Sequence, residues 1–530
     1  MKSIFQRSQS QAQAAATVSA GIFVTLLSAV ANAQTGEGQD TLGAPLGAAG
    51  TGPKRVLVIV PRVSVSETLT DNVRLSPTAR QSELVTEIAP GVRIVADGAR
   101  IKGYFDYALN GRLYLQNSSG TSIQNALTTF GTVEAIEKWA FLDFSGSISQ
   151  QAISALGARS INSASINSNQ TESASYRLSP YLRGRVGNAA DYEARYSIAT
   201  NRSQTALASD VTTKDGTLKL NGRGASARLG WTLDAARQNV VYGNARPNES
   251  DKLAVGLTYA VTPNLNVSGT AGVEANNYTT FDKQNFATSG LGFNWVLSSA
   301  TKLAASFENR SFGRSHNLSF EHRTPRTVWR FSDAQDVTAT PSDPASASLG
   351  STYDLFFSQF ANLEPDLIKR AALVTNFLQV NGINPVGNVN GSFLTSALSL
   401  QRRQDLAFSL LGVRDTVTFI LSRTATSRVD TVTGAVDDLS NSNLIRQNGL
   451  SVNYSHRLTP DTALSVLAST QQSSDSLGLQ DNTTNSVNLT VSTRVGPKST
   501  AILGARRVTS DSRTSPYTES AITGTLNVQF

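Results

Sequence analysis

Apolar and polar residues alternate in segment after segment of this chain. Leu182, Gly184 and Val186 are interleaved with Arg183 and Arg185. Because successive side chains of a β-strand point to opposite faces, such a segment predicts a strand with one apolar and one polar face. The pattern recurs in segments that begin near residues 218, 227, 253, 291, 417, 450 and 487. The chain is therefore predicted to be all-β.

The last ten residues continue this pattern. Ile522, Gly524, Leu526, Val528 and Phe530 fall on one face of a predicted strand. This segment resembles the terminal strand of bacterial outer-membrane β-barrels, in which that strand is the assembly signal, and Phe530 is the residue predicted to carry it. The edge of a water-soluble sheet would show the same alternation.

The amino terminus has the features of a secretory signal peptide. Lys2 and Arg7 precede an uncharged stretch, and Ala31-Asn32-Ala33 provides a small-x-small cleavage site. The apolar core at residues 18–30 is shorter than the roughly 20 residues of a membrane-spanning helix. We therefore predict that residues 1–33 are removed, and that the Gly- and Ala-rich residues 34–54 form a flexible periplasmic lead-in.

The composition narrows the function classes. The chain has no cysteine, which excludes disulfides, thiolate metal sites and a cysteine nucleophile. Without Lys2 and Arg7, 44 basic residues face 39 acidic ones, a formal charge of about +5. So small an excess, spread along the chain, does not indicate nucleic-acid binding. The hydrophobic share of 39% and the charged share of 16% fit strands with one lipid face and one polar face.

Short and long connections alternate between the predicted strands. Short turns contain proline at Pro263, Pro460 and Pro497, whereas longer polar stretches cover residues 276–286, 425–443 and 471–484. This asymmetry is typical of the periplasmic turns and extracellular loops of outer-membrane barrels. With about 10 residues per crossing plus the connecting loops, residues 55–530 accommodate roughly 18 strands, with a range of 16 to 20. We predict a transmembrane antiparallel β-barrel in the outer membrane, wide enough for a water-filled lumen.

One insert breaks the alternation, at residues 332–391. It contains a Pro-, Ser- and Ala-rich stretch, followed at residues 367–380 by a helical spacing of Leu367, Ala371, Val374 and Leu378. Counting strands from the two ends of the chain assigns this insert to opposite sides of the membrane. Either one strand has been missed, or the insert crosses the lumen as a plug.

Charged residues occupy the polar phase of many predicted strands and are candidates for lining the lumen. Arginine and glutamate there can brace the wall as ion-pair ladders, or they can form a constriction that prefers anions. The candidate lumen-lining residues are Arg183, Arg185, Glu193, Arg195, Lys219, Arg223, Arg228, Glu308, Arg310 and Arg494.

Catalytic chemistry has little support in this sequence. There are three histidines, and His316 and His322 lie on one predicted hairpin near Glu308 and Glu321, acids that a hydrolase could use. The adjacent acids Asp437 and Asp438 could bind calcium, but a solvated acidic turn is the simpler interpretation. We therefore expect no enzymatic activity, no cofactor and no metal.

Several segments together resemble a known family. They are residues 63–77, 83–94, 105–114 and 137–151, and the segment Phe393 to Leu398 followed by Arg402 and Arg403. This ordered set resembles the outer-membrane proteins associated with the PEP-CTERM/exosortase system of exopolysaccharide-producing Gram-negative bacteria. The resemblance implies a role in exopolysaccharide or surface-protein export, and it brings no active-site residues with it.

The sequence thus predicts an outer-membrane channel or export-associated barrel that handles a polar polymer. Its expected partners are outer-membrane lipids, the barrel assembly machinery and, through the resemblance, polysaccharide and export components, with no nucleic acid. A general or anion-preferring diffusion porin is the alternative, and an outer-membrane hydrolase is a third, weaker one.

Overall fold

A computed structural model describes residues 56–116, 120–162, 164–205, 210–224, 226, 228–243, 246–339, 357, 370, 374, 393–429, 437–476, 478 and 480–530. The predicted signal peptide and lead-in lie outside these residues. No helix in the described part of the chain is both long and apolar enough to cross a membrane.

The described residues form a single sheet of 22 antiparallel strands. The first half contains β1 (Leu57–Thr70), β2 (Glu83–Asp97), β3 (Ile101–Tyr114), β4 (Ser122–Ile136), β5 (Ala140–Ala152), β6 (Gln170–Val186), β7 (Ala190–Ser203), β8 (Val211–Arg223), β9 (Leu229–Tyr242), β10 (Asn248–Thr262) and β11 (Leu265–Asn276). The second half contains β12 (Gln284–Ser298), β13 (Thr301–Arg310), β14 (Gly313–Arg323), β15 (Thr327–Thr338), β16 (Ser399–Leu411), β17 (Asp415–Arg428), β18 (Leu444–Arg457), β19 (Thr462–Ser474), β20 (Asp481–Gly496), β21 (Ser499–Ser512) and β22 (Tyr517–Gln529). One short helix, α1 (Asp438–Asn441), precedes β18.

The sheet closes on itself because β1 pairs with β22. Their register runs from Arg62 opposite Gln529 to Thr70 opposite Ala521. Side-chain hydroxyls reinforce the seam, with 2.7 Å between the oxygens of Ser66 and Thr525. The backbone N–H of Phe530 extends it by donating to the carbonyl of Pro61. The assembly role of Phe530 stays a prediction.

The prediction of about 18 strands was wrong, since the described barrel has 22. Two stretches that were predicted to be polar loops are partly strand, because β17 continues to Arg428, β19 continues to Ser474 and β20 begins at Asp481. The strands of this barrel continue beyond the lipid, and their side chains are polar there. A change from apolar to polar residues in the sequence therefore marks the membrane boundary and not the end of the strand. In addition, β13 and β14 are joined by only Ser311 and Phe312, a connection too short to separate them by composition.

The two ends of the barrel differ. At one end, here called the short-turn end, every connection has two to five residues, and the three proline turns lie there. At the other end, the loop end, connections reach 17 residues between β5 and β6 and 60 between β15 and β16. Short periplasmic turns and long external loops are the pattern of outer-membrane barrels.

The outer wall is apolar where it must meet lipid. Leu257, Leu291 and Ile522 are 56%, 71% and 57% exposed, whereas their strand neighbours point inward. Large apolar side chains exposed all around a closed barrel indicate a membrane-embedded wall, since only helices and closed barrels satisfy their backbone in lipid. The protein is an outer-membrane β-barrel.

Strand pairing locates the two ends of the connection that contains the insert. Thr338 of β15 pairs with Ser399 of β16, so both ends of the connection are at the loop end. The conflicting count therefore came from missed strands and gives no evidence for a crossing plug. Residues 332–338 belong to β15, which corrects the predicted start of the insert. The predicted helix lies outside the described residues, apart from Arg370 and Val374, whose backbones are helical.

The closing seam predicts a specific disulfide in this cysteine-free chain. Cysteines at Ser66 and Thr525 should cross-link on oxidation, because directly opposite residues of an antiparallel pair lie within disulfide reach. The closed loop should make the denatured chain migrate faster on a non-reducing gel.

A mismatched pair, cysteines at Ser66 and Ile522, is the control, because Ile522 points to the opposite face. Free thiols in both variants, measured by titration after oxidation, would contradict closure through this register.

Candidate functional site in the lumen

Six of the predicted lumen-lining residues lie together on the inner wall at the short-turn end of β6–β8. They point inward, because they alternate along their strands with outward-facing residues such as the exposed Leu182, Tyr196 and Leu218. These six are Arg183, Arg185, Glu193, Arg195, Lys219 and Arg223. Arg228 lies in the turn that precedes β9, and Arg494 lies at the short-turn end of β20, on another part of the wall.

Ion pairs and ring contacts hold two arginines of this group in place. The Arg195 guanidinium lies 2.7 Å from Asp143 and 3.0 Å from Glu193, and 3.9 Å from the ring centroid of Tyr181. Arg183 similarly covers the ring of Phe141, at 4.1 Å. These contacts fix the two guanidinium planes against the wall, and the two carboxylates balance the charge of Arg195. This geometry matches the bracing role that ion-pair ladders would have.

The remaining two predicted residues lie at the loop end. Arg310 pairs with the buried Glu274 at 3.0 Å and with Asp336 at 2.9 Å. Glu308 accepts from Lys252 at 2.7 Å. The structure therefore places the charged residues in groups at opposite ends of the lumen and does not bring them into one ring.

The acids considered for a hydrolase do not meet the histidines. His316 and His322 point outward, where His316 Nε2 lies 3.0 Å from Asp333 and His322 Nδ1 lies 2.8 Å from the hydroxyl of Thr301. Glu308 and Glu321 are on the inner face, in the alternating phase. The wall of the barrel separates the two sets.

A band of uncharged polar side chains crosses the inner wall of β10–β14. In register, Thr258 is opposite Ser268, and Ser306 is opposite Asn317, with Gly292 between the two pairs. The adjacent row contributes Asn266, Asn294 and Ser319. Together they line a recess of about 400 Å³ that opens to the lumen. Neighbouring strands lie about 4.8 Å apart, so five strands give a band about 19 Å wide.

The loop end is covered by an inward-folded structure that we call the cap. It consists of residues 153–162 and 164–169 from the β5–β6 loop, residues 393–398, and Asp437 with α1. Asn169 shapes its first segment, because its side chain accepts from the N–H of Ser154 and donates to the carbonyls of Ser154 and Ala158.

An apolar cluster joins the three parts of the cap. Ala155, Phe393 and Leu439 are each at most 1% exposed and pack with Ile445 of β18. The N–H of Leu394 donates to the carbonyl of Ala152 at 3.2 Å. Burial of a large aromatic such as Phe393 stabilises by roughly 1.5–3 kcal/mol. The segment Phe393 to Leu398, which is one of those that carry the family resemblance, thus contributes to the core of the cap.

Within the cap, hydrogen bonds join the β5–β6 segment and residues 393–398 to the acidic turn before β18. Asp438 accepts from the hydroxyl of Ser154 at 3.0 Å and from the N–H of Ala155 at 2.6 Å. Asp437 caps α1 and accepts from the N–H of Ser396 at 2.8 Å. These two acids are therefore docking residues, and the interpretation as a solvated turn was wrong.

Arg159 fastens the cap to a second region of the wall. Its guanidinium donates to Gln471 and Ser473 of β19, at 3.1 Å each. Its carbonyl accepts from the Tyr517 hydroxyl of β22. The side chain of Asn482 in β20 donates to the carbonyl of Gly157 at 2.7 Å. The β5–β6 loop is thus held to three strands that are distant in sequence.

Burial dominates the electrostatics of the cap. It lowers the pKa of Arg159 to about 10, with Asp438 acting in the opposite direction, so the guanidinium stays protonated at neutral pH. Burial also raises the pKa of Asp438, while the hydrogen bonds from Ser154 and Ala155 lower it. A buried cation and a partly buried anion in one small assembly make the cap sensitive to the loss of either.

The cap spans the mouth of the barrel. Around the ring of 22 strands, the β5–β6 and β17–β18 connections are twelve strands apart in one direction and ten in the other. A contact between Ser154 and Asp438 must therefore cross the opening. The sequence analysis did not identify the β5–β6 part of the cap; its three asparagines, Asn162, Asn167 and Asn169, are a residue type that favours turns.

Comparisons with known proteins give neither a matching family model nor a matching curated protein. Among solved structures, the siderophore receptor PirA from Pseudomonas aeruginosa is similar at 10% identity and a TM-score of 0.42, over 89% of this chain and 80% of that one. The FrpB iron transporter from Neisseria meningitidis is similar at 8% identity and a TM-score of 0.48, over 89% and 82%. Similarity at this level indicates nothing about what this chain binds.

The cap predicts a barrier to ions that two substitutions should remove. Arg159→Ala with Asp438→Ala deletes the polar contacts to β19 and to Ser154 and Ala155, while the strand ladder stays intact. In planar bilayers, we expect the unaltered protein to show small or rare conductance steps and the double variant to show larger, longer openings.

Arg507→Ala, which removes an exposed outward arginine of β21, is the matched control and should behave as the unaltered protein. A large constant conductance of the unaltered protein, unchanged in the double variant, would show that the cap is no barrier.

Proposed function

We propose that this barrel passes a neutral or weakly charged polysaccharide across the outer membrane and that the cap closes it at rest. The observation that carries the proposal is the band of uncharged side chains on β10–β14. Hydroxyl and carboxamide groups both donate and accept hydrogen bonds, as sugar hydroxyls require. Many weak contacts bind a sugar polymer strongly enough for it to enter the lumen and weakly enough for it to leave.

The distribution of charge supports a sugar over an anion. Arg195 and Arg310 are each engaged by two carboxylates, so these two residues add little positive potential for an anionic solute. Asn294, Ser306, Asn317 and Ser319 are instead exposed to the lumen. A polymer sliding past this wall meets polar groups that are not already paired with charges.

The width of the barrel supports a polymer over a small solute. A barrel of more than about 16 strands can leave an aqueous channel, and one of about 22 strands needs a plug to be closed. The cap provides an obstruction at the loop end, which a general diffusion porin would not need. We infer an export role linked to exopolysaccharide and the PEP-CTERM system from the resemblance described above. Catalysis forms no part of the proposal.

Block of ionic current by a neutral oligosaccharide tests the proposed cargo. In the variant with the open cap, maltoheptaose should interrupt the current in discrete events. Changing Asn266, Asn294 and Asn317 to Leu removes up to three hydrogen-bonding side chains, each worth about 0.5–1.5 kcal/mol. The mean duration of the blocks should fall by at least roughly 10-fold.

Lys219→Gln is the control, because it changes the inner wall outside the band and should leave the block duration unchanged. Equal block durations in the triple variant would rule out the band as the sugar path. Stronger block by an oligosaccharide carrying sulfate groups would favour the anion-preferring porin.

A further inference from the structure

Three arginines on neighbouring strands point away from the lumen. Arg402 of β16, Arg423 of β17 and Arg446 of β18 are exposed. They share the alternating phase of Leu406, Leu421 and Leu450, which are 38%, 48% and 40% exposed on the outer wall. We call these three residues the arginine row. A lipid-facing wall is an unusual place for charge, so their position needs a physical reason.

The strand register places the arginine row in one compact group. Arg402 is opposite Ala425, which in turn is opposite Arg446. Arg423 lies two residues from Ala425 on the middle strand, so it is a diagonal neighbour of both other arginines. Diagonal neighbours lie about 7–8 Å apart, and residues two strands apart lie about 10 Å apart. The three side chains can therefore reach a common ligand.

The arginine row lies at the border of the apolar outer wall that is nearer the loop end. Leu421, one outward position below Arg423, is in register with Leu406 and Leu450. Eight residues separate Arg423 from Asp415, where the band ends at the short-turn end. This is about 27 Å along the strand and about 20 Å after a tilt of about 40°, close to the 25 Å band of outer-membrane barrels. The arginines therefore lie at the headgroup level of the outer leaflet.

The protein balances only one of the three charges of the row. Arg402 pairs with Asp333, at 2.7 Å from Nη2 to Oδ2. Among the described residues, no carboxylate pairs with Arg423 or Arg446. Three neighbouring guanidinium groups thus have one carboxylate, held by Arg402, at the edge of a low-dielectric region, where like charges repel strongly. An external anion would relieve this repulsion.

We propose that the arginine row binds the phosphorylated headgroup of a glycolipid in the outer leaflet. Guanidinium groups match phosphate with two parallel hydrogen bonds, and a lipid anchored there would place its acyl chains on the apolar wall below. Phe408 and Phe419, directly opposite each other in register, lie on this part of the wall. The cationic row and the apolar wall form one continuous surface, which favours a lipid, since its headgroup and acyl chains can contact both. An acidic protein could reach the arginines but not the part of the wall that lies within the membrane.

Titration of the full-length barrel with lipid A, followed by native mass spectrometry, tests the proposal. The probes are bisphosphorylated lipid A, the same lipid without its phosphates, and inorganic phosphate as competitor. Arg402→Gln, Arg423→Gln and Arg446→Gln together should weaken binding of bisphosphorylated lipid A by roughly 100-fold, as expected for three basic residues near an anionic surface. Arg423→Gln alone, which removes no intramolecular ion pair, should weaken it roughly fivefold.

The control changes Arg183, Lys219 and Arg223 on the inner wall to Gln, which alters the net charge equally and should leave the affinity unchanged. Unchanged binding in both outward variants would overturn the proposal. So would equal binding of the dephosphorylated lipid, displacement of the lipid by equimolar inorganic phosphate, or an acidic protein bound in place of lipid.

Discussion

Closure of the hydrogen-bond ladder between β1 and β22 is the constraint on which the rest of this structure depends. In lipid, an unpaired backbone N–H or C=O costs several kcal/mol, so an open edge cannot be tolerated. The pairing of Thr70 with Ala521 and of Arg62 with Gln529 removes the last edge. Once the ring is closed, its alternation forces each residue to face either lipid or lumen. The inner recess, the charged groups and the arginine row all follow from that division.

Local sequence predicted what depends on local physics. Strand alternation assigned Arg183 and Arg185 to the face opposite Leu182 because the side-chain period of a strand is fixed. The three proline turns were assigned to one side, and the structure places them there. The number of strands was less accessible, since the polar ends of β17 and β19 have the composition of loops. The composition of a strand segment indicates where the lipid ends, but the hydrogen-bonded strands continue beyond that level.

The cap could not be predicted because its contacts are long-range. Arg159 is a single charge in a Ser- and Asn-rich loop, and its partners Gln471 and Ser473 are more than 300 residues away. Nothing in the local pattern of Asp437 and Asp438 distinguishes a docking site from a solvated turn. The candidate lumen residues illustrate the same limit, because alternation gives the face of Arg195 and Arg310 but does not show that they lie at opposite ends of the barrel.

The central claim is that the β5–β6 loop crosses the mouth of the barrel and is held at β19. Pulsed electron paramagnetic resonance measures the distance between spin labels on cysteines introduced at Ile161 in the cap and Gln472 at the wall. The chain has no other cysteines. We expect a single short and narrow distance distribution in lipid, which broadens when Arg159 is changed to Ala. A long, broad distribution in the otherwise unaltered protein would show that the loop points out of the barrel and that no cap exists.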